Sequence, residues 1–316
     1  MDFAPRDAGP PSDDSMADDA VGAVLRELMA RFSVEITPRE APTLPPLVDV
    51  LPAGTAVYLT FLPNTPWEQT VATARSVREA GMRPVPHLAA RAVPDRPTLR
   101  RMLADVAAVG VEELLILAGS LATPVGEFHE TAQILDTGYL EDAGIRRVGV
   151  VGHPEGHPDV EGDELFRALA AKCRIARERG LDLYLVTQFA FAAEPIVAWE
   201  RGIRAMGVDA PVHVGLPGLT TPTRLLRFGL RCGVGASLKV LRQQSGGLLK
   251  LAASHVHHPD VTLLGLAAAV AAEPASLLRG IHFFPFGALV PTVAWACDIR
   301  DGRFEVDDRD RLRVTA

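Results

Sequence analysis

Apolar positions along this chain follow two periodicities that take turns. Short runs dense in Val, Leu and Ile occur at Ser33–Ile36, Ala56–Thr60, Arg83–His87, Glu113–Ala118, Arg147–Val151, Leu183–Gln188, Val212–Leu216 and Gly280–Phe284. Between them, apolar residues recur every three or four positions, as over Trp67–Glu79, Pro97–Val109, Asp163–Arg179, Pro195–Met206 and Pro222–Cys232. The first pattern predicts buried strands and the second helices with one apolar face. Gly81, Gly110, Gly180 and Gly207 close helical stretches, where a residue tolerant of positive φ is wanted. Eight strands alternating with helices predict an α/β fold with a parallel sheet, and eight is the number that closes a (β/α)8 TIM barrel. An open, doubly wound sheet is the competing arrangement, but no GxGxxG follows the first strand.

The ends read differently. Residues 1–17 hold Pro, Gly, Ser and four Asp with almost no large apolar side chain, which predicts a disordered tail. Val21, Val24, Leu25 and Leu28 recur at helical spacing, predicting a helix from Asp18 to about Ala30 that caps the barrel. Asp18 and Asp19 sit where a helix start favours acceptors and negative charge. A barrel over 18–305 and a C-terminal tail over 306–316 complete the division.

Composition narrows the classes. The 316 residues are 48% hydrophobic and 22% charged, as in a globular protein. A net charge of −7 argues against a nucleic-acid partner, because phosphate binding needs a basic face. The longest apolar candidate, Leu263–Ala272, is too short to span a bilayer, so no membrane role is expected. Met1 leads into Asp and Pro rather than a basic segment and an apolar core, so no secretory signal is read. Cys173, Cys232 and Cys297 are odd in number and lack a CxxC pair, which fits reduced thiols in the cytoplasm.

Catalytic groups of a parallel barrel come from the C-terminal ends of its strands. Glu35 lies in the apolar first strand, where a carboxylate must be paired or kept protonated; it is the candidate general acid, or else a salt-bridged core glutamate. The second strand ends at Thr60 with Asn64 beyond it, the third at His87, and the fourth runs into Ala118-Gly119-Ser120. The fifth is followed by His153-Pro154-Glu155-Gly156-His157, the sixth ends at Thr187-Gln188, and the eighth carries His282. No metal site is expected: HExxH is absent and no cysteine stands at ligand spacing. His255-Val256-His257-His258 reads as a solvated patch before a helix. Lys172 shares a helix direction with Leu165, Leu169 and Ala176, so its stem is half buried and its ammonium reaches either solvent or a phosphate.

Seven segments, in order, resemble the methylenetetrahydrofolate reductase family: Phe32-Ser-Val-Glu35-Ile-Thr-Pro38, Pro86-His87-Leu88, Leu115-Ile-Leu-Ala-Gly119, Pro154-Glu155-Gly156-His157-Pro158, Thr187-Gln188-Phe189, Leu216-Pro217-Gly218-Leu219 and Ile281-His282-Phe283. The resemblance implies a barrel holding FAD at its mouth, with NADH or NADPH and a folate using the flavin in turn. It makes Glu35 the acid that opens the methylene bridge and puts Gln188 on the pterin. Thr60, His87, Gly119, His157 and Lys172 fall on flavin-binding positions. Ser120 and His153 do too, where the family carries Asp and Tyr, and Ser120 also falls on a substrate-binding position. The changes after strands four, five and eight cluster where flavin and substrate would lie. That pattern suits a divergent branch, with direct hydride transfer from the nicotinamide as one form. A folate-dependent methyltransferase and a non-catalytic folate-binding relative are the other classes. The implied partners are a folate and a pyridine nucleotide, with homo-oligomerisation open.

Overall fold

The computed structural model describes residues 13–157, 160–221, 224–225, 256–307 and 311–315, with side chains from residue 20 onward. Eight parallel strands close into one barrel: β1 (Ser33–Ile36), β2 (Ala56–Leu59), β3 (Arg83–Ala89), β4 (Glu113–Leu117), β5 (Arg147–Gly152), β6 (Asp182–Thr187), β7 (Val212–Pro217) and β8 (Leu278–Phe284). β8 pairs back onto β1 through Ser33 with His282 and Val34 with Phe283. The expected (β/α)8 fold is therefore the observed one, and the open sheet is excluded by this closing pair.

Helices α1 (Asp13–Ala30), α2 (Leu47–Val50), α3 (Trp67–Glu79), α4 (Arg96–Ala108), α5 (Thr131–Leu135), α6 (Tyr139–Asp142), α7 (Gly162–Arg179), α8 (Ala193–Ala205), α9 (Asp260–Ala272) and α10 (Leu289–Arg300) accompany the strands. Sequence dictates their limits locally. The Asp95 side chain accepts from the Thr98 amide at 2.7 Å to start α4, and Pro97 fits its first turn. The four helix-ending glycines all take positive φ. One helix looks anomalous by pattern: α9 is apolar on every side. Its packing accounts for this, since it lies between α1 and α8 with a C-terminal strand against it.

Two apolar cores result. The larger fills the space between sheet and helices, with Val34, Val57, Leu88, Ile116, Val150 and Leu185 pointing outward from the strands. The smaller lies inside the barrel and comprises Ala56, Tyr58, Val85, Leu115, Tyr184 and Val186. Gly149 is required there, because a Cβ would sit 2.7 Å from the Tyr184 ring and 2.8 Å from Leu115. Tyr184 thereby crosses the interior to meet Tyr58, hydroxyl to hydroxyl, at 2.8 Å.

Several expectations need correction. α1 starts at Asp13, within the stretch read as tail, and packs on the barrel's flank against β8, α9 and α10 rather than capping it. The boundary expected at 305/306 falls inside β9 (Phe304–Val306), which pairs antiparallel with β10 (Leu312–Val314) of the expected tail, and Leu312 is buried in the larger core. Two short helices, α5 and α6, fill a connection after β4 where no helix was predicted. β3 runs two residues past His87. Residues 1–12, most of the Pro222–Cys232 helix, Cys232 and His255 lie outside the described residues.

Candidate active site

Side chains two apart on a strand share a face, so the interior position of Tyr58 carries Thr60 inward and that of Val85 carries His87 inward. On β1 the same alternation aligns Ser33 with Glu35. These groups meet near the C-terminal mouth. The Thr60 hydroxyl donates to Glu35 Oε1 at 2.6 Å, and the imidazole Nε2 atoms of His87 and His282 each stand 3.6 Å from Glu35 Oε2. On the far side of its ring, His282 Nδ1 shares a hydrogen bond of 2.9 Å with Ser33 Oγ. Tyr58 wedges against both imidazoles, with ring centroids 4.4 Å from His282 and 6.1 Å from His87.

This is a dry constellation with one wet edge. His282 is fully buried and His87 nearly so, while the Glu35 side chain keeps 15% of its surface exposed. Both Nε2 atoms are buried without a hydrogen-bond partner, although they converge on one carboxylate oxygen. Unmet polar atoms of this kind mark a place for another group.

Burial opposes the charge on Glu35, but the attraction of His282, of His87 when protonated, and the Thr60 hydroxyl outweigh it and hold the carboxyl below its ordinary value. The imidazoles and the hydroxyl thus work against the retention of a proton that burial alone favours. Burial pushes His87 down to about 4 despite the nearby Glu35, so its imidazole is neutral at pH 7.

A cavity of about 350 Å³ opens beside His87, walled by Asn64, Trp67, Thr98, Arg101 and Met102. The indole nitrogen of Trp67 and the Thr65 hydroxyl are buried around it without partners. Gly119 lies at the adjacent end of β4 with φ 94°, and a Cβ there would press within 3.1 Å of Ala89. Arg91 pins the loop that follows, donating to the carbonyls of Leu121 and His129. Ser120 is exposed on that loop.

The remaining predicted residues form a second group. The rings of His153 and His157 are 5.2 Å apart. His153 and Lys172 line one cavity of about 290 Å³ with Leu165, Phe166, Leu169 and Trp199. Burial, His157 and Lys172 push His153 down to about 4, and burial also lowers Lys172. This cavity shares no lining residue with the one beside His87. Lys172 therefore points into protein, not freely into solvent. Gln188 is half buried and folds back, its Oε1 accepting from the Phe189 amide at 3.1 Å.

Sequence reasoning missed Ser33, Tyr58 and Tyr184 as parts of the site. Counting back two residues from Glu35 and Thr60 would have flagged the first two. The His255–His258 segment also differs from its expected solvated state. His258 is exposed, but His257 packs on Phe191 at 5.7 Å, bridges to Thr220 and is pushed by burial to about 4. Among the described residues, no three His, Cys, Asp or Glu side chains are grouped to share a metal ion. No helix among them is long and apolar enough to cross a membrane.

A closed barrel with a carboxylate and two imidazoles converging at its C-terminal mouth supports an enzyme. Comparison with known proteins is sparing beyond that. No family model matches the chain. One stretch of 70 residues is 34% identical to methylenetetrahydrofolate reductase 1 of Schizosaccharomyces pombe (strain 972 / ATCC 24843), covering 22% of this chain and 11% of that protein. The matched stretch thus spans about a tenth of that relative's length. Among solved structures, a putative phosphonomutase from Burkholderia cenocepacia J2315 aligns over 89% of this chain and 98% of its own, with 13% identity and a TM-score of 0.48.

Proposed function

We propose that this chain is an oxidoreductase that moves a hydride between a nicotinamide nucleotide and a folate-bound one-carbon unit, interconverting 5,10-methylene- and 5-methyltetrahydrofolate. The observation that carries the reading is the convergence of Thr60, His87 and His282 on Glu35 at the barrel mouth. The partial match to a methylenetetrahydrofolate reductase supplies the substrate class.

In the reducing direction the N10–methylene bond breaks, N10 takes a proton, and the resulting N5 iminium accepts the hydride as a methyl group. Glu35 delivers that proton. It rests as a carboxylate, so it must first be protonated, and a ligand that covers its exposed edge favours this by removing the last water. In the oxidising direction the resting carboxylate is already the base required. Thr60 holds one of its oxygens by a hydrogen bond, His282 faces the other at 3.6 Å, and Ser33 fixes the His282 ring.

Our reading does not call on a tightly held FAD. Ala118-Gly119-Ser120 offers no charged side chain to the flavin position. The cavity beside His153 and Lys172 is about 290 Å³ and largely apolar, just under the roughly 300–1,000 Å³ range for drug-sized ligands, which leaves room for one part of a dinucleotide rather than the whole of FAD or of NAD(P)H. No step in this reading runs through a flavin. NADH or NADPH delivers its hydride directly, with Lys172 and His153 as the polar groups for one of its anionic parts.

The test is nucleotide oxidation followed in the presence of 5,10-methylenetetrahydrofolate, and nucleotide reduction with 5-methyltetrahydrofolate. The expected result is folate-dependent turnover by protein whose absorption spectrum lacks flavin bands. Folded protein inert in both directions with both nucleotides overturns the reaction; flavin bands overturn direct transfer.

A further inference from the structure

The opposite end of the barrel holds the largest of the cavities described, about 850 Å³, walled by the starts of the strands from Ser33 and Ala56 round to Arg147 and Arg279. Its charge is unlike that of the chain. The sequence carries 32 basic and 39 acidic residues, yet five arginines line this space, Arg31, Arg83, Arg147, Arg279 and Arg300, against Glu27 and Glu113. Three of the five are committed. Arg83 and Arg147 grip Glu113 from two sides at 3.2 Å each, Arg147 also pairs with Asp182, and Arg300 pairs with Asp301. Arg31 and Arg279 form no ion pair among the described residues; Arg279 donates only to the adjacent Leu278 carbonyl.

A second observation concerns the inner wall. The interior of such a barrel is ordinarily filled by layers of branched apolar side chains. Here Ser33, Ala56, Arg83, Glu113, Arg147 and His213 line the cavity at this end, and it reaches up to Tyr58. His213 Nδ1 is buried there without a hydrogen-bond partner.

We propose that this N-terminal cavity is a binding site for a small polyanion bearing phosphate or carboxylate groups. Arg31 and Arg279, free of ion pairs among the described residues and with Arg279 giving one N–H to the Leu278 carbonyl, stand on a wall whose other cations are already neutralised and suit the paired oxygens of such groups. The volume exceeds that of a single inorganic anion and lies within the range of small-molecule sites. The site is independent of the hydride-transfer reading and lies across the barrel from Lys172.

Calorimetric titration with inorganic pyrophosphate and, separately, citrate distinguishes the two oxygen chemistries. Wild-type protein is expected to bind at least one at a single saturable site, with affinity falling as salt rises. Arg31→Ala combined with Arg279→Ala should weaken that binding at least tenfold while leaving the melting temperature unchanged, since neither residue holds a structural ion pair. Arg174→Ala, an exposed arginine on α7 outside the cavity, should bind as wild type does. Pyrophosphate alone lost in the double variant assigns a phosphorylated ligand, and citrate alone a polycarboxylate. Absence of saturable binding to either, or binding undiminished in the double variant, overturns the proposal.

Discussion

Two glutamates enter the barrel, one from β1 and one from β4, and their surroundings could hardly differ more. Glu113, at the N-terminal end, is clasped by Arg83 and Arg147, both permanently charged and partly solvated. Glu35, at the C-terminal end, pairs with no arginine or lysine among the described residues; a hydroxyl and two imidazoles face it. A guanidinium fixes a carboxylate in one state, whereas imidazoles and a hydroxyl can exchange protons with it. The first arrangement suits a structural strut and the second a group that changes protonation during a reaction. They lie at opposite ends of the barrel, and the chemistry of their partners differs accordingly.

The comparison breaks most readily at Glu35. Glu35→Gln keeps the shape but cannot deliver a proton, so folate turnover is expected to fall about 10²- to 10⁴-fold. Measuring kcat against pH in the same variant should also show loss of the limb that wild type owes to this group. Retained turnover would remove Glu35 from the chemistry.

Acid should come next in size. Burial depresses His87, His153, His213 and His257 to about 4 each. The unfolded chain takes up these protons near pH 6.5, the folded chain only near 4, so the unfolded state binds more protons between those values. Stability is therefore fully present above about pH 6.5 and drains away as pH falls through that window. Asp260, raised by burial to about 6, works in the opposite sense, but as one group against four. The urea midpoint should drop clearly between pH 7.5 and 5; a constant or rising midpoint would show that these imidazoles are hydrated.

Glu113→Gln tests the other half of the comparison. It leaves Arg83 and Arg147 facing each other with one carboxylate fewer. Because both guanidinium groups are more than one-third exposed, solvent screening limits the expected cost to about 1–3 kcal/mol. Ser33→Ala is the smallest change. It strips the partner from Nδ1 of a fully buried imidazole and should cost about 1–2 kcal/mol, read as a lower melting temperature. If His282 then tilts, kcat should fall while KM for the nucleotide holds.

What could be read from sequence followed from local period. The eight strand runs and most of the long helices stand out because burial repeats every two or every 3.6 residues. Glu35, Thr60 and His87 were legible as polar residues at strand ends. Their mutual contacts were not, since Ser33 and His282 meet across 249 positions and Tyr58 and Tyr184 across 126. The groups that oppose burial at Glu35 were hidden for the same reason: burial is visible in its neighbours Val34 and Ile36, whereas the imidazoles lie on other strands. The C-terminal hairpin escaped because its three-residue strands carry little pattern, and only Leu312 anchors β10 in the core.

The most direct test sets the two glutamates side by side. Folate-dependent nucleotide oxidation at saturating substrate and the melting temperature would be measured for wild type, Glu35→Gln and Glu113→Gln. The account predicts at least a hundredfold loss of turnover at an almost unchanged melting temperature for Glu35→Gln. For Glu113→Gln it predicts a lower melting temperature with turnover per folded molecule close to wild type. Melting temperature lost at Glu35 with turnover intact, or turnover lost at Glu113 with stability intact, would contradict it.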